Sequence, residues 1–173
     1  MTFDSGPVGG ASLEPTGDRW TLIFIREFRQ APADVWAALT DPAELDRWAP
    51  FTAADDLGIT GETTLTTVNG PERTSAAATV RKAEAPVLLE YTWGADLLRW
   101  ELAPASTGTR LTLRHTLADP DPTAMVAAGW HLCLAVLRRL LAGDPVPVIR
   151  GADAMRFGFA ELRDAYAEEF VAG

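Results

Sequence analysis

The chain has 173 residues, of which 47% are hydrophobic, and this size and composition are typical of a single globular domain. Its formal net charge of −9 repels phosphate backbones and anionic lipids, so we expect neither nucleic acid nor a membrane among its partners. One cysteine and two histidines exclude an internal disulfide and the usual zinc clusters, and we expect neither a metal nor another cofactor.

The N-terminal segment is rich in glycine, proline, serine and aspartate and has almost no apolar periodicity, which predicts a flexible leader over residues 1–18. This segment lacks the basic start and the apolar run of a secretory signal. No uninterrupted apolar run in the chain reaches the ~18 residues that would predict a membrane-spanning helix. We therefore expect a cytoplasmic protein.

A strand is predicted over Trp20–Phe28, because this stretch alternates and is rich in β-branched and aromatic residues. Two short helices should follow, since a proline suits the first turn of each and Asp41 with Glu44 forms a capping box for the second. Turn sequences then separate a run of antiparallel hairpin strands. These strands are predicted at 62–68, 73–82, 87–93, 97–102 and 109–117, with 58–61 as a further short edge strand.

The apolar period then changes from two to 3.6, which predicts a long helix over 123–142. Its apolar arc is about 160° wide, broader than the ~100° stripe of a surface helix, so other elements should wrap around it. Trp130 lies on that arc, whereas His131 lies on its flank and is predicted to be a rim residue. A last helix is predicted over 153–170, with a local weakness at Gly158.

Four strings, in order and spacing, resemble bacterial members of the START-like (SRPBCC) superfamily: APADVWAALTDPAELDRW, LLEYTWGADLLRWEL, GTRLTLRHTL and GWHLCLAVLRRLLAG. The branch is the one grouped with the C-terminal domain of activators of the heat-shock protein 90 ATPase. This resemblance implies an α+β helix-grip fold, in which a curved antiparallel sheet of six to seven strands wraps around the long helix and leaves a hydrophobic cavity. We expect this domain to occupy residues 19–143 and residues 144–173 to pack on it as a helical extension.

His115 lies on the strand face of three leucines, where a fourth apolar residue is expected. It can be a core histidine with a polar neighbour, a cavity-lining residue without catalysis, or an acid–base catalyst. Trp93 and Trp100 recur at strand period and are either core or pocket wall. Arg26 shares a face with apolar residues, so an inward orientation would require a carboxylate partner or an anionic ligand.

The candidate ligand-binding residues are the side chains expected to surround the gap between the sheet and the long helix. They are Arg26, Trp48, Trp93, Trp100, Leu113, His115, Trp130 and Leu134. The sequence contains neither a nucleophile-elbow serine motif nor a carboxylate pair that would predict catalysis. Cys133 lies on the apolar face of the predicted helix, which indicates a buried, inert thiol.

Three functions are consistent with these residues. The favoured one is binding of a small apolar or amphipathic molecule, without catalysis, by a monomer or homodimer, because the broad helix arc and the inward tryptophans suit a pocket. A second, implied by the resemblance alone, is interaction with a chaperone ATPase. The third is an enzyme similar to polyketide cyclases or hydrolases, with His115 or Arg26 polarising a carbonyl group.

Overall fold

The structure, a computed structural model, describes residues 3–172 as one eight-stranded sheet, four α-helices and one 3-10 helix. The strands are β1 Ala11–Thr16, β2 Arg19–Phe28, β3 Phe51–Ala53, β4 Gly61–Asn69, β5 Glu72–Glu84, β6 Leu88–Trp93, β7 Asp96–Ala105 and β8 Gly108–Leu117. The α-helices are α1 Pro32–Thr40, α2 Pro42–Leu45, α3 Thr123–Leu141 and α4 Phe159–Ala172, and the 3-10 helix covers Gly151–Phe157.

The sheet is antiparallel, and its strand order is β1-β2-β8-β7-β6-β5-β4-β3. Strands β4 to β8 follow one another as hairpins, whereas β2 pairs with β8 and places Leu22 opposite His115. Helix α3 packs on the inner face of the sheet, and the core forms between the two. This is the predicted α+β helix-grip arrangement, so the fold prediction is confirmed.

The two edge strands account for the difference between eight strands and the predicted six or seven. Strand β1 lies inside the segment that the sequence predicts as a flexible leader, and it pairs with β2 over its whole length. Ala11 and Leu13 are its only half-buried residues, so its alternation is too weak to be recognised in a sequence. Pro15 is tolerated there because an edge strand pairs on one side only. The prediction of a flexible leader is therefore wrong for these residues.

The short strand at the opposite edge lies at β3 rather than at the predicted residues 58–61. The side chain of Phe51 is buried in the core, which fixes β3 beside β4. Leu57 is also buried, and its amide donates to the carbonyl oxygen of Thr40 at 3.0 Å. The chain is thus held under α1 just before residue 58 and turns instead of extending.

By length and mean hydropathy alone, α3 would suffice to cross a membrane. In the structure it is the core helix of the domain: ten of its residues are buried, including Trp130, Cys133 and Leu137. The sheet covers one side of α3, and α4 packs along its other side. Its broad apolar arc therefore reflects burial from two directions, as the width of the arc predicted.

The single helix predicted over 153–170 is interrupted. Gly158 adopts a left-handed φ of 81°, which ends the 3-10 helix and lets α4 start in a new direction. Tyr166 on α4 then packs against α3 and hydrogen-bonds Nδ1 of His131 at 2.7 Å. The prediction that His131 is a rim residue is wrong: it is 2% exposed, because α4 and the N-terminal residues Ser5 and Gly6 cover it.

Candidate functional site

A tight hairpin between β6 and β7 builds one wall of the candidate site. Gly94 takes a left-handed φ of 57° in the turn, and this places Trp93 directly opposite Asp96. Asp96 lies two positions before Leu98, which pairs with His115 across β7 and β8. The two polar side chains are therefore diagonal neighbours on the inner face of the sheet, within reach of each other.

His115 is held on both sides of its ring. Its Nε2 lies 2.7 Å from Oδ2 of Asp96, and its Nδ1 accepts a hydrogen bond from the indole Nε1 of Trp130 at 3.0 Å. An indole N–H can only donate, so Nδ1 is the acceptor and the ring proton lies on Nε2, facing the carboxylate. At 1% exposure, the imidazole has no nitrogen left for a ligand or for proton transfer.

The Asp96 carboxylate completes this chain of hydrogen bonds. Its second oxygen accepts from the backbone amide of Ala118 at 2.9 Å. Burial by itself would raise the pKa of Asp96, but the hydrogen bonds from His115 and Ala118, with the positive charge of Arg19 nearby, hold that pKa below its ordinary value. The group is therefore an anion at neutral pH, and it fixes the tautomer of the histidine.

A cleft of about 320 Å³ opens beside this chain, at the N-terminal end of α3. We call it the tryptophan cleft; it is lined by Pro50, Trp93, Asp96, His115, Val126, Gly129 and Trp130. The rings of Trp93 and Trp130 lie 6.4 Å apart at 72° and form its apolar walls. Gly129 contributes a bare backbone, and a methyl group built there would meet no atom within 4 Å other than those of its chain neighbours and of the helix backbone.

Deeper between the sheet and α3, aromatic side chains fill the interior. The ring of Trp100 lies 5.5 Å from that of Trp130 and 6.0 Å from that of Trp48, both in edge-to-face geometry. Trp100 and Trp48 also satisfy their indole N–H groups, Trp100 with the Tyr91 hydroxyl and Trp48 with the carbonyl oxygen of Ala38. The gap expected from sequence is thus packed at its centre and open at one end.

The sequence matches a known family over most of this domain. Residues 29–142 match the family described as Activator of Hsp90 ATPase homolog 1-like protein. The chain belongs to this family. The resemblance seen in the four sequence strings is thereby confirmed.

Several solved structures share the fold of this AHSA1-like chain. A conserved protein of unknown function from Enterococcus faecalis superimposes with a TM-score of 0.72 at 17% identity, covering 92% of this chain and 89% of that one. The AHSA1 protein from Silicibacter pomeroyi has a TM-score of 0.62 at 26% identity, covering 72% and 99%. CalU16 from Micromonospora echinospora has a TM-score of 0.64 at 22% identity, covering 92% and 93%. No curated protein gives a significant sequence match.

Three of the eight predicted site residues line the tryptophan cleft of this AHSA1-like domain: Trp93, His115 and Trp130. Four others lie in the closed core with at most 2% exposure. These are Trp48, Trp100, Leu113 and Leu134. Their strand and helix periodicity marks them as inward-facing, but periodicity does not distinguish the packed part of an interior from its open end.

Arg26 lies away from the tryptophan cleft. Its guanidinium packs over the ring of Phe24 and donates to the carbonyl oxygen of Gly9 at 2.9 Å and to the Tyr166 hydroxyl at 3.4 Å. The sequence predicted that an inward arginine would need a carboxylate partner or an anionic ligand, whereas in the structure backbone carbonyls and a phenol hydroxyl supply the acceptors. Tyr166 also hydrogen-bonds His131, so Arg26 is one of the residues that connect the N-terminal segment with α4.

Four lining residues were not predicted from the sequence: Pro50, Asp96, Val126 and Gly129. For Asp96 a signal exists, because it continues the alternation of Leu98 and Trp100 and so belongs to the inner face of β7. Its neighbours Gly94 and Ala95 instead favoured a turn assignment. Gly129 carries a second signal, since a glycine inside an amphipathic helix costs about 1 kcal/mol relative to alanine and needs a reason.

Within residues 3–172, no buried side-chain nitrogen or oxygen lacks a hydrogen-bond partner. The same part of the chain holds no group of three His, Cys, Asp or Glu side chains arranged to bind a metal ion. The polar side-chain atoms of Asp96, His115 and Trp130 are thus bonded to one another and to the amide of Ala118. What the cleft presents to a ligand is an apolar surface with one carboxylate at its margin.

Proposed function

We propose that this AHSA1-like protein binds a small, flat, apolar or aromatic molecule in the tryptophan cleft. The observation that carries the proposal is the open space in front of Gly129, flanked by the indole rings of Trp93 and Trp130. Small-molecule sites are typically concave, apolar and furnished with a few polar groups. The tryptophan cleft has this character.

The walls favour a flat ligand. Aromatic rings prefer offset-stacked or edge-to-face neighbours at centroid distances of about 4.5–7 Å, and the half-buried indole of Trp93 offers such a surface, whereas the indole of Trp130, 2% exposed, lines the cleft from the core. Trp93 is half-buried and further supported by Phe51, whose ring lies 4.9 Å away. The indole of Trp130 cannot swing aside, because its N–H is bonded to His115. The cleft is therefore held in shape before a ligand arrives, which lowers the entropic cost of binding.

The glycine supports close approach of a ligand to the helix backbone. The space in front of position 129 would accommodate a small side chain. An alanine would improve helix stability by about 0.5–1 kcal/mol. Compared with alanine, glycine at position 129 therefore lowers the stability of the helix. It also leaves the full width of the cleft open to a ligand.

The experiment uses N-phenyl-1-naphthylamine, a neutral aromatic probe whose fluorescence rises in apolar surroundings. At about 0.3 kcal/mol per non-hydrogen atom, it should bind with a Kd on the order of 0.1 mM. Wild type should show saturable enhancement of probe fluorescence together with quenching of tryptophan fluorescence. Gly129→Leu should abolish both signals, because the leucine side chain fills the cleft.

Met125→Leu is the matched control. Met125 lies one turn earlier on α3, is 50% exposed and does not line the tryptophan cleft, so this variant should bind the probe as wild type does. Circular dichroism should show that both variants keep the fold. Absence of saturable binding to wild type, or unchanged binding to a folded Gly129→Leu protein, would overturn the proposal.

A further inference from the structure

A second and larger cleft, of about 520 Å³, lies at the opposite end of α3. We call it the arginine cleft; it is lined by Glu27, Phe28, Arg29, Gln30, Thr107, Arg138 and Ala142. Three elements meet there: the end of β2, the turn between β7 and β8, and the last turn of α3. It is separate from the tryptophan cleft and shares no lining residue with it.

The walls of the arginine cleft are fixed by backbone contacts. The hydroxyl of Thr109 donates to the carbonyl oxygen of Gln30 at 2.7 Å, which ties the start of β8 to the segment that follows β2. Gly108 packs directly on the backbone of Phe28 and Arg29, where no side chain would fit. From the helix side, Arg138 stacks over the ring of Phe28, with 5.6 Å between its guanidinium carbon and the ring centre.

The charges of the arginine cleft are unbalanced. Its one carboxylate, on Glu27, faces Arg110 with 3.9 Å between Oε1 and Nε. Within residues 3–172, neither Arg29 nor Arg138 has a carboxylate within 4 Å. Among the described residues, Arg138 donates one hydrogen bond, to the carbonyl oxygen of Glu27 at 3.0 Å, and its other N–H groups contact no further acceptor there.

A third arginine adds to this positive charge. Burial, and then the charge of Arg26, lower the pKa of Arg138 from its ordinary value. Arg26 itself is bonded to carbonyl oxygens and a phenol hydroxyl rather than to an acid. The chain carries 24 acidic and 15 basic residues, and yet no carboxylate of the described residues lies within 4 Å of Arg26, Arg29 or Arg138.

We propose that the arginine cleft binds a small organic oxyanion, a carboxylate or a phosphate monoester. Guanidinium groups bind such oxyanions through paired, charge-assisted hydrogen bonds, and Arg29 and Arg138 line one cavity from two sides. Gln30 and Thr107 add side-chain groups that can donate hydrogen bonds to the same oxygens. The methyl group of Ala142 offers a small apolar surface to the rest of the ligand.

Titration of the protein with phenyl phosphate and, separately, with benzoate tests this inference, with amide NMR shifts as the readout. Saturable shifts should appear for residues 27–30 and 107, and they should weaken as salt is raised from low to physiological ionic strength. Comparing the two probes separates a phosphate site from a carboxylate site. The uncharged analogue benzyl alcohol should cause no saturable shift.

Arg29→Gln should weaken binding of the better anion at least about fivefold, because it removes one charge-assisted contact from an exposed position that the fold does not need. Arg138→Gln should weaken binding of the same anion to a similar degree. If this variant folds poorly, Arg138→Lys is used in its place, because lysine keeps the positive charge. Arg163→Gln, on the exposed face of α4, is the matched control and should bind as wild type does. No saturable shifts in wild type, or equal affinity in Arg29→Gln, would overturn the inference. Gly129→Leu should leave this binding unchanged.

Discussion

Replacing Asp96 with asparagine should destabilise this protein, although the two side chains have nearly the same shape. Asp96 accepts two hydrogen bonds, from Nε2–H of His115 at 2.7 Å and from the amide of Ala118 at 2.9 Å. Asparagine offers one acceptor oxygen and one NH₂ group in place of two acceptors. One of the two donors must therefore face another donor.

The imidazole cannot relieve this conflict by changing its tautomer. If the ring proton moved to Nδ1, Nε2 could accept from the new amide, but Nδ1–H would then face the indole N–H of Trp130, 3.0 Å away. An unsatisfied buried donor costs about 1–3 kcal/mol. A loss of about 2 kcal/mol corresponds to a decrease of about 4–8 °C in the Tm of a domain of this size.

Urea unfolding followed by tryptophan fluorescence measures the loss directly. Asp41→Asn is the matched control, because the Asp41 side chain caps α2 with one hydrogen bond, to the amide of Ala43, and asparagine is an equally good N-cap. Full wild-type stability in a folded Asp96→Asn protein would refute the assignment of the His115 tautomer and of the carboxylate as its partner.

The same site predicts a pH dependence at the acid end. Burial would raise the pKa of Asp96, but its hydrogen bonds lower it further than burial raises it. The stability that the carboxylate contributes is thus complete above its unfolded pKa of about 3.9 and is lost as the pH falls through the lower folded pKa. Asp96→Asn should lack this part of the acid unfolding curve, whereas Asp41→Asn should retain it.

Three further predictions concern other parts of the fold. Burial, and then the charge of Arg26, lower the pKa of His131 in the folded protein. The free energy of unfolding of wild type should therefore fall as the pH decreases below about 6.5, the unfolded pKa of histidine. Urea unfolding between pH 8 and 5 should show this pH dependence in wild type and not in His131→Gln. Gly108→Ala should cost at least about 2 kcal/mol, because its Cβ would collide with the backbone of β2; Gly17→Ala, in an open turn, should cost less by the same assay. Burial raises the pKa of Cys133 to about 12, so a thiol reagent at pH 8 should label the unfolded but not the native protein.

Periodicity and turn chemistry were sufficient to predict the central elements of the fold. The strands β4 to β8 and the helix α3 are long enough for their apolar spacing to be unambiguous. Pro32 and Pro42 mark the starts of α1 and α2, where Asp41 provides the predicted cap. Elements with few buried residues, such as β1, were missed because their pairing depends on a neighbour that the local sequence does not describe.

The sequence by itself determined which side chains share a face, since alternation along β7 and β8 and the arc of α3 are local properties of the chain. Only the tertiary structure decided what those side chains meet. Asp96, His115 and Trp130 come from three elements, and their hydrogen bonds depend on the register of two strands and the position of α3 above them. The open space at Gly129 and the burial of His131 likewise depend on distant segments of the chain. Contacts between elements, rather than residue spacing, determine which parts of the interior are packed and which stay open.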